Sequence, residues 1–243
     1  MAAGRGPKRR RSKNARGAGA RRSAAKKASA DTTRGRPKRG SSTPRREQDA
    51  FGHRAKAEGY PARSIYKLEE MDRRVGLLKR GQRVLDLGAA PGSWSLYAAE
   101  KVGPRGKVIG LDLQPHAIER ALPACLELRV GDARTLDTAS LGGACDVLLS
   151  DMAPKTTGVR AADMYRSYEL FRVAVDAASE LVKPGGAFVG KIFQGEDFDE
   201  GRAALKRVFK RVRTMRPEAI RPESYEVYLV GQEKRPERLP EPS

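Results

Sequence analysis

The sequence predicts an α/β fold in which a mainly parallel, doubly wound sheet of seven strands has helices on both faces. Three observations support this prediction. From Phe51 onward, short apolar segments typical of buried strands alternate with segments that have the apolar spacing of helices. The last two strand patterns, Arg211–Met215 and Tyr225–Val230, follow one another without a helix, which predicts an antiparallel pair. The first 50 residues contain no Val, Ile, Leu, Phe, Trp or Tyr, so they cannot contribute to a core.

The first predicted elements are a helix, a strand and a second helix. Proline in the first turn and apolar residues three or four positions apart predict a helix over Pro61–Gly76. The segment Arg83–Gly88, RVLDLG, has the short apolar pattern of a buried strand, and the glycine-containing turn after it leads into a helix over Ser93–Val102. Three further apolar segments continue the sheet: Lys107–Leu113, Leu126–Asp132 and Cys145–Asp151.

The second half of the domain begins with a long helix. Its pattern covers Asp163–Val182 and ends at Lys183-Pro184-Gly185-Gly186, because proline cannot continue a helix and glycine favours its end. Gly186–Phe193 is the predicted fifth strand, and Gly201–Phe209 is a basic amphipathic helix. The region Pro217–Pro222 supplies the turn between the last two strands.

The formal net charge of +19 is concentrated near the N-terminus. Residues 1–50 carry 17 basic and 3 acidic side chains, a net charge of +14, whereas residues 51–243 carry 32 and 27, a net charge of +5. We therefore expect a disordered basic extension over residues 1–50, a folded domain over 51–232 and a flexible tail over 233–243. The extension is interpreted either as an arm that binds RNA or as a solubilising segment. A transit peptide is disfavoured because the segment has no apolar residues to build an amphipathic face.

Composition excludes several classes of protein. No apolar run approaches the roughly 18 residues that a membrane-spanning helix needs, and the N-terminus lacks the apolar segment of a secretory signal. Cys125 and Cys145 give neither a disulfide framework nor the spacing of a zinc site. With only His53 and His116, a histidine-rich metal site or a Ser-His-Asp triad has little basis. We expect a cytoplasmic protein without a metal site.

The segment DLGAAPGSW, which follows the first strand, is the candidate cofactor loop. Gly88 and Gly92 allow a tight turn and a close approach of the backbone to a ligand, but their spacing is not that of a dinucleotide or P-loop motif. Asp112 ends the second strand about 20 residues further on, where a carboxylate accepts hydrogen bonds from a ribose. Asp132 ends the third strand and could meet an adenine amino group. This ordered set favours a nucleoside-type cofactor; the alternative is that the glycines serve packing and the aspartates cap helices.

Four further ionisable residues each allow two interpretations from position alone. Lys191 lies between apolar neighbours in the fifth strand, and it is either a catalytic lysine or one whose amine reaches water at the strand end. Taken singly, Lys67 is typical of a helix surface, Asp151 of a loop cap and Glu226 of an exposed strand position. Because ligands of such sheets bind beyond the carboxyl ends of the strands, Asp151 and Lys191 lie where chemistry is expected.

At this point the sequence resembles the FtsJ/RrmJ family of S-adenosylmethionine-dependent ribosomal RNA 2′-O-methyltransferases. The resemblance extends from about Ser64 to Val230 and rests on four blocks of sequence. They are RSIYKLEEMDRRVGLLKRGQRVLDLGAAPGSWS, SDMAP, KPGGAFVGKIFQGEDFDE and RPESYEVYLV. One departure is that the family's PGGW turn has Ser93 in place of its second glycine.

The resemblance implies a Rossmann-like methyltransferase fold and two sets of site residues. Gly92, Trp94, Asp112, Asp132 and Asp151 would contact the cofactor, S-adenosyl-L-methionine, beside the glycine turn that starts at Gly88. Lys67, Asp151, Lys191 and Glu226 would form a catalytic tetrad. Lys191 would accept the proton of the 2′-hydroxyl or steer that hydroxyl by its charge, and Asp151 would orient Lys191. Lys67 would help to hold the ribose, and Glu226 would orient Lys67.

The resemblance further implies a uridine of 23S rRNA as the target, within the 50S ribosomal subunit. Alternatives are 2′-O-methylation of another rRNA nucleotide or of tRNA, or a catalytically idle RNA-binding assembly factor. The glycine spacing argues against a nicotinamide oxidoreductase. We expect a monomer, because RNA can supply the contacts that a second subunit would otherwise make.

Overall fold

The computed structural model describes the backbone of residues 44–236 and the side chains of residues 50–236. The predicted disorder of residues 1–50 therefore falls mostly outside the described residues. A helix that the sequence did not predict, α1 (Pro44–Ala57), extends seven residues into that segment. Its second half is held to the domain, since Ala55 is buried and the Phe51 ring lies 5.4 Å from that of Tyr66.

The predicted seven-stranded sheet with helices on both faces is confirmed. The strand order is β3-β2-β1-β4-β5-β7-β6; the first five strands are parallel, and β7 is antiparallel to both of its neighbours. After α1 the elements are α2 (Ile65–Val75), β1 (Arg83–Leu87), α3 (Ser93–Val102), β2 (Lys107–Asp112), β3 (Leu126–Val130), β4 (Cys145–Ser150), α4 (Arg160–Leu181), β5 (Val182–Phe193), α5 (Phe198–Val208), β6 (Phe209–Met215) and β7 (Glu226–Lys234).

Several boundaries differ from the prediction for local reasons. Helix α2 begins at Ile65 rather than Pro61, because residues 61–64 form turns. Helix α4 begins three residues before Asp163, whose carboxylate accepts hydrogen bonds from Thr157 and Gly158 and so lies inside the first helical turn. Strand β7 continues two residues beyond the predicted domain end at 232, because Lys234 still pairs with Phe209.

The Lys183–Gly186 segment stops the long helix as predicted, but it does not precede the fifth strand. Strand β5 already begins at Val182, which pairs with Cys145, and the next pairing joins Val147 to Ala187. The four intervening residues therefore project from the strand as an insertion, which places the proline where no ladder hydrogen bond is required.

The sheet separates two apolar clusters. Helices α2 and α3 cover one face, where Leu68, Met71 and Leu96 are fully buried. Helices α4 and α5 cover the other, where Phe171 and Leu205 pack on the strands. Among residues 44–236, no helix is long and apolar enough to cross a membrane. Because the chain passes from β3 back to β4 beside β1, the order of strands reverses between β1 and β4, and the crevice at their carboxyl ends is where such sheets bind ligands.

Candidate active site

The structure brings the four predicted tetrad residues together at the carboxyl edge of the sheet. Asp151 directly follows β4, Lys191 lies in the neighbouring strand β5, Glu226 begins β7, and Lys67 projects from α2. Lys191 Nζ donates to Asp151 twice, to Oδ1 at 3.0 Å and to the backbone carbonyl at 2.6 Å. Lys67 Nζ lies 2.5 Å from Glu226 Oε1. The site thus consists of two ion pairs.

Tyr228 connects the two ion pairs, and the sequence analysis missed it. Its hydroxyl lies 2.7 Å from Asp151 Oδ1 and 2.6 Å from Glu226 Oε1. Sheet register explains the position, since Tyr228 pairs with Lys191 across β5 and β7. The signal was available: residues two apart in a strand share a face, so Glu226 and Tyr228 point to the same side.

Charge and burial fix the protonation of two of these groups. Burial raises the pKa of Tyr228 well above its ordinary value, and the neighbouring Asp151 and Glu226 raise it further, so the hydroxyl keeps its proton. Burial alone would raise the pKa of Asp151, but attraction to Lys191 and Lys67 and the hydrogen bond from Tyr228 outweigh it. The pKa of Asp151 is therefore lowered, and this carboxyl is ionised near neutral pH.

The tetrad is recessed without being sealed. The Lys191 and Asp151 side chains are 6% and 18% exposed, and Lys67 and Glu226 are each 14% exposed. Charged groups in such a setting interact more strongly than in bulk water, because less solvent screens them. A substrate hydroxyl that entered the recess would meet fixed charges and few mobile water molecules.

The glycine loop after β1 has the predicted tight backbone. Gly88 and Gly92 have φ of +77° and +115°, which side chains other than glycine rarely adopt. A Cβ at Gly88 would lie 2.7 Å from the backbone nitrogen of Met152, so the loop touches the segment after β4. A Cβ at Gly92 would lie 2.6 Å from the Ile118 side chain. In the described chain, both glycines allow close contact between loops at the edge of the sheet.

Asp112 and Asp132 hold loops as well as facing a cavity. Asp112 accepts hydrogen bonds from the backbone of Ala90 at 3.0 Å and Gln114 at 2.8 Å, which ties the glycine loop to β2. Asp132 accepts one from the backbone of Arg134 at 2.9 Å and so caps a short 3₁₀ helix. The two aspartates therefore fix loops, which is the alternative role that the sequence left open, and they also line the cavity.

The cavity beside these acids fits an adenosine in its chemistry. Its volume of about 100 Å³ is smaller than the roughly 300 Å³ of a typical ligand pocket, and Gly88, Leu111 and Met152 line it together with the two aspartates. Apolar walls with a few polar groups at the rim are typical of nucleoside sites, because the base needs apolar contact and the ribose needs acceptors. The residues present therefore suit the cofactor that the family resemblance implies.

The Trp94 side chain lies away from this cavity. It is 3% exposed, its Nε1 donates to the backbone carbonyl of Ser64 at 2.8 Å, and its ring lies 5.6 Å from that of Tyr228. Its contact with the cofactor stays a prediction. The Ser93 hydroxyl, where the family has glycine, exchanges hydrogen bonds with the backbone nitrogen and oxygen of Ala62. Ser93 and Trp94 therefore join the start of α3 to the turns before α2.

A fully buried carboxyl, Asp86, lies beneath the site and was not predicted as a functional residue. Its Oδ2 accepts a hydrogen bond from the Ser95 hydroxyl at 2.6 Å, and its Oδ1 has no hydrogen-bond partner among the described residues. Burial, opposed by the Ser95 hydrogen bond and assisted by the charges of Asp151 and Asp112, raises the pKa of Asp86 to about 7. The sequence placed this residue in the cofactor loop segment, but only the structure shows its burial.

Comparison with known proteins gives a consistent result. A family model described as FtsJ-like methyltransferase matches residues 60–234. A ribosomal RNA large subunit methyltransferase E from Sorangium cellulosum is 54% identical over 190 residues, which cover 77% of this chain and 89% of that protein. The protein of the same name from Syntrophobacter fumaroxidans is 46% identical, with coverage of 76% and 94%.

Solved structures share the fold. A ribosomal RNA methyltransferase from Plasmodium falciparum superposes with a TM-score of 0.63 at 25% identity, covering 72% of this chain and 98% of that one. Fibrillarin from Aeropyrum pernix, whose structure contains natively bound S-adenosyl-L-methionine, superposes with a TM-score of 0.50 at 17% identity, covering 69% and 76%. The second likeness concerns the fold alone.

Proposed function

The chain belongs to the FtsJ-like methyltransferase family, and we propose that it methylates the 2′-hydroxyl of a ribose in 23S rRNA of the large ribosomal subunit. It is an S-adenosylmethionine-dependent RNA methyltransferase, in agreement with the expected activity and cofactor. The observation that carries the proposed chemistry is the pair of Lys–acid contacts joined by Tyr228 at the carboxyl edge of the sheet. A uridine target within the 50S subunit is part of the proposal.

The cofactor would be held beside the glycine loop. Gly88 and Gly92 would let the backbone approach it, Asp112 would accept from the ribose hydroxyls, and Asp132 would meet the adenine amino group. When bound, S-adenosyl-L-methionine supplies an electrophilic methyl group on sulfur. We place that group toward Asp151, because this residue adjoins both the cavity-lining Met152 and the tetrad.

The protein's own contribution is to align a weak nucleophile and to accept its proton. A neutral lysine amine has two N–H donors and one lone pair. Lys191 directs two hydrogen bonds at Asp151, one at the carboxylate and one at the carbonyl, so a neutral amine would have its lone pair left for the 2′-hydroxyl proton. The proposal therefore assigns proton acceptance to Lys191 Nζ and its orientation to Asp151.

Lys67 and Glu226 complete the charge balance of the site. Their ion pair would keep the Lys67 ammonium beside the reacting ribose, where it would interact with negative charge that develops on the 2′-oxygen. Tyr228 lies between the two acids and keeps their oxygens apart at fixed positions. Since two amines, two carboxyl groups and a phenol are coupled, protons redistribute over the set as a unit.

A stacked pair next to Glu226 offers a surface for a base of the RNA. The Arg160 guanidinium lies 4.1 Å from the centre of the Tyr225 ring, and Tyr225 is 48% exposed. Arg160 also lines a cavity of about 580 Å³ with Met164 and Gln194. Unpaired RNA bases stack on aromatic rings and guanidinium planes, so we assign this surface to the target nucleotide or its neighbour.

The direct test is Lys191→Ala. This variant should bind S-adenosyl-L-methionine with unchanged affinity, measured by calorimetry, and should lose transfer of labelled methyl groups to rRNA. Lys183→Ala is the matched control: Lys183 lies in the same strand, at its other end, paired with Asp146, and should leave turnover unchanged. Near-normal turnover of Lys191→Ala would contradict the assignment.

The substrate is tested by offering purified 50S particles, free 23S rRNA and tRNA in parallel, followed by mapping of the 2′-O-methyl group. Methylation of 50S particles or 23S rRNA at one ribose supports the proposal. Methylation of tRNA alone would favour the alternative tRNA enzyme, and no methylation of any RNA would favour an idle assembly factor. We further propose a cytoplasmic monomer, which a sedimentation mass near 26.6 kDa would support and twice that mass would contradict.

A further inference from the structure

A large basic cavity lies at the amino edge of the sheet, opposite the tetrad. Helices α4 and α5 both end beside it, together with the start of β6 and the end of β7. Its volume is about 1060 Å³. Glu226 of the tetrad and Lys234 in the cavity wall are eight positions apart along the antiparallel strand β7, a span of roughly 27 Å at the usual rise per residue.

The cavity wall is strongly unbalanced in charge. One acid, Asp176, faces a set of six basic residues: Arg172, Lys206, Arg207, Lys210, Lys234 and Arg235. Of the six, Arg172 alone has an ion pair within residues 44–236, with Glu200 at 3.7 Å. Like charges in one cleft repel one another, and an anion that entered the cleft would relieve this repulsion.

Lys234 distinguishes this cleft from an ordinary solvated surface. The residue as a whole is 5% exposed, so its stem is buried, and within the described part of the chain its ammonium has neither a hydrogen bond nor an ion pair and is not sealed from the cavity. An ammonium held at a cavity wall without a protein partner is satisfied by water or by an anion that enters the cavity. Its backbone pairs with Phe209, which fixes the side chain at the cavity wall.

The helix ends account for part of the charge only. The last turn of a helix favours cations because its free carbonyls carry partial negative charge, and Lys206 and Arg207 lie in the last turn of α5. Lys210, Lys234 and Arg235 belong to strands or follow one, and the two helix ends beside the cavity together carry only about one negative charge, which is less than six cations require. A ligand with several negative charges would explain all of the basic residues together.

We propose that this cavity binds backbone phosphates of a second segment of the ribosomal RNA. The choice of RNA as the anion rests on the proposed function. Arginine and lysine clusters that contact phosphates bind without regard to base sequence, and their contribution depends strongly on salt. Because the tetrad is roughly 27 Å away along β7, a short RNA that carries only the target nucleotide cannot reach both places, whereas folded rRNA can.

The test is a triple variant, Lys206→Gln, Arg207→Gln and Lys210→Gln combined. It removes three cations that line the cavity, and because all three are exposed it leaves the core intact. The matched control removes three exposed cations that also lie near the amino edge, beside β1 and β2: Lys79→Gln, Lys101→Gln and Arg105→Gln. Binding of 23S rRNA is measured by filter binding over a range of salt concentrations. Lys234→Met, which keeps the packed stem, serves as a single-site variant.

We expect the cavity triple variant to bind 23S rRNA at least tenfold more weakly than the control triple variant. Its slope of log affinity against log salt should be less steep by roughly 2 to 3, because each lost phosphate contact removes about 0.7 to 0.9. Lys234→Met should reduce the slope by about 1. S-adenosyl-L-methionine affinity and methylation of a short target hairpin should stay at the wild-type level.

Equal rRNA affinity and slope for the two triple variants would overturn the inference. Unchanged binding of free rRNA with weaker binding of 50S particles would also overturn it, because the cavity would then contact a protein of the particle. If the proposed function itself were wrong, a different result would show it: the wild-type protein would methylate no rRNA. The binding comparison does not need methyl transfer, so it remains decisive in that case.

Discussion

Asp86 should give the protein a specific dependence of stability on pH. The folded state holds a proton on this buried carboxyl up to about pH 7, whereas the unfolded chain releases it near 3.8. A raised folded-state pKa contributes stability that is complete below the unfolded value and is lost as pH rises through the folded value. The loss for Asp86 therefore begins near pH 3.8 and levels off above pH 7.

The magnitude follows from the shift. A difference of about 3 pKa units corresponds to roughly 4 kcal/mol over the whole range, of which about 1 kcal/mol falls between pH 6 and pH 8.5. In Asp86→Asn the side chain stays neutral, and its carbonyl oxygen can still accept from Ser95. The free energy of unfolding of this variant should thus decline by about 1 kcal/mol less than that of the wild type over this interval.

The assay is urea unfolding of the cofactor-free protein at pH 6, 7, 8 and 8.5, followed by circular dichroism. Glu119→Gln, which neutralises an exposed acid in a loop, is the control and should follow the wild type. Ser95→Ala removes the hydrogen bond that lowers the pKa of Asp86, so its loss of stability should shift to higher pH. Parallel curves for the wild type and Asp86→Asn would refute the reasoning.

Three further predictions follow from other parts of the molecule. Tyr228→Phe removes the hydroxyl donor between the two tetrad acids, so the free energy of unfolding in urea should fall by about 2 kcal/mol. Single-turnover methyl transfer should slow, with cofactor affinity unchanged. Equal transfer rates for the variant and the wild type would contradict a positioning role of Tyr228. Gly88 and Gly59 have nearly the same positive φ, but only a Cβ at Gly88 would collide with Met152. Gly59→Ala should therefore lower the free energy of unfolding in urea by about 1 kcal/mol, and Gly88→Ala should lower it clearly more. Gly88→Ala should also bind the cofactor more weakly, as measured by calorimetry. Deletion of residues 1–43, which spares α1, should weaken rRNA binding at moderate salt and leave cofactor affinity intact; an unchanged salt slope in filter binding would exclude a role of this segment in RNA capture.

The sequence was informative wherever a local pattern determines the outcome. The parallel strands were readable because each is a short apolar run, and the tetrad was readable because the resemblance placed Lys67, Asp151, Lys191 and Glu226 in four separate motifs. Helix α1 was not readable from the sequence. Its segment PRREQDAFGHRAKA has only one large apolar residue, and the helix depends on contact with the domain. Helix propensity alone does not distinguish α1 from the basic segment that precedes it.

Long-range contacts set the other limit. That Asp86 has an unpartnered oxygen, or that the stem of Lys234 is buried in the wall of a basic cavity, depends on neighbours far away in the chain, which no spacing rule supplies. Tyr228 is intermediate: strand alternation places it beside Glu226, but only the register between β5 and β7 brings it to Lys191. The insertion at Lys183–Gly186 shows the same dependence, because a sequence pattern that stops a helix here lies inside a strand.

Strand β7 is hydrogen-bonded on both sides, to β5 and to β6, and this limits how its length can change during evolution. Insertion or deletion of one residue would turn Glu226 and Tyr228 to the opposite face of the sheet, away from Lys67 and Lys191. A change of two residues would preserve that alternation and alter the separation between the two ends of the strand by about 7 Å. We therefore expect natural variation in the spacing between the catalytic edge and the basic cavity to occur in steps of two residues, or in the loops that flank the strand.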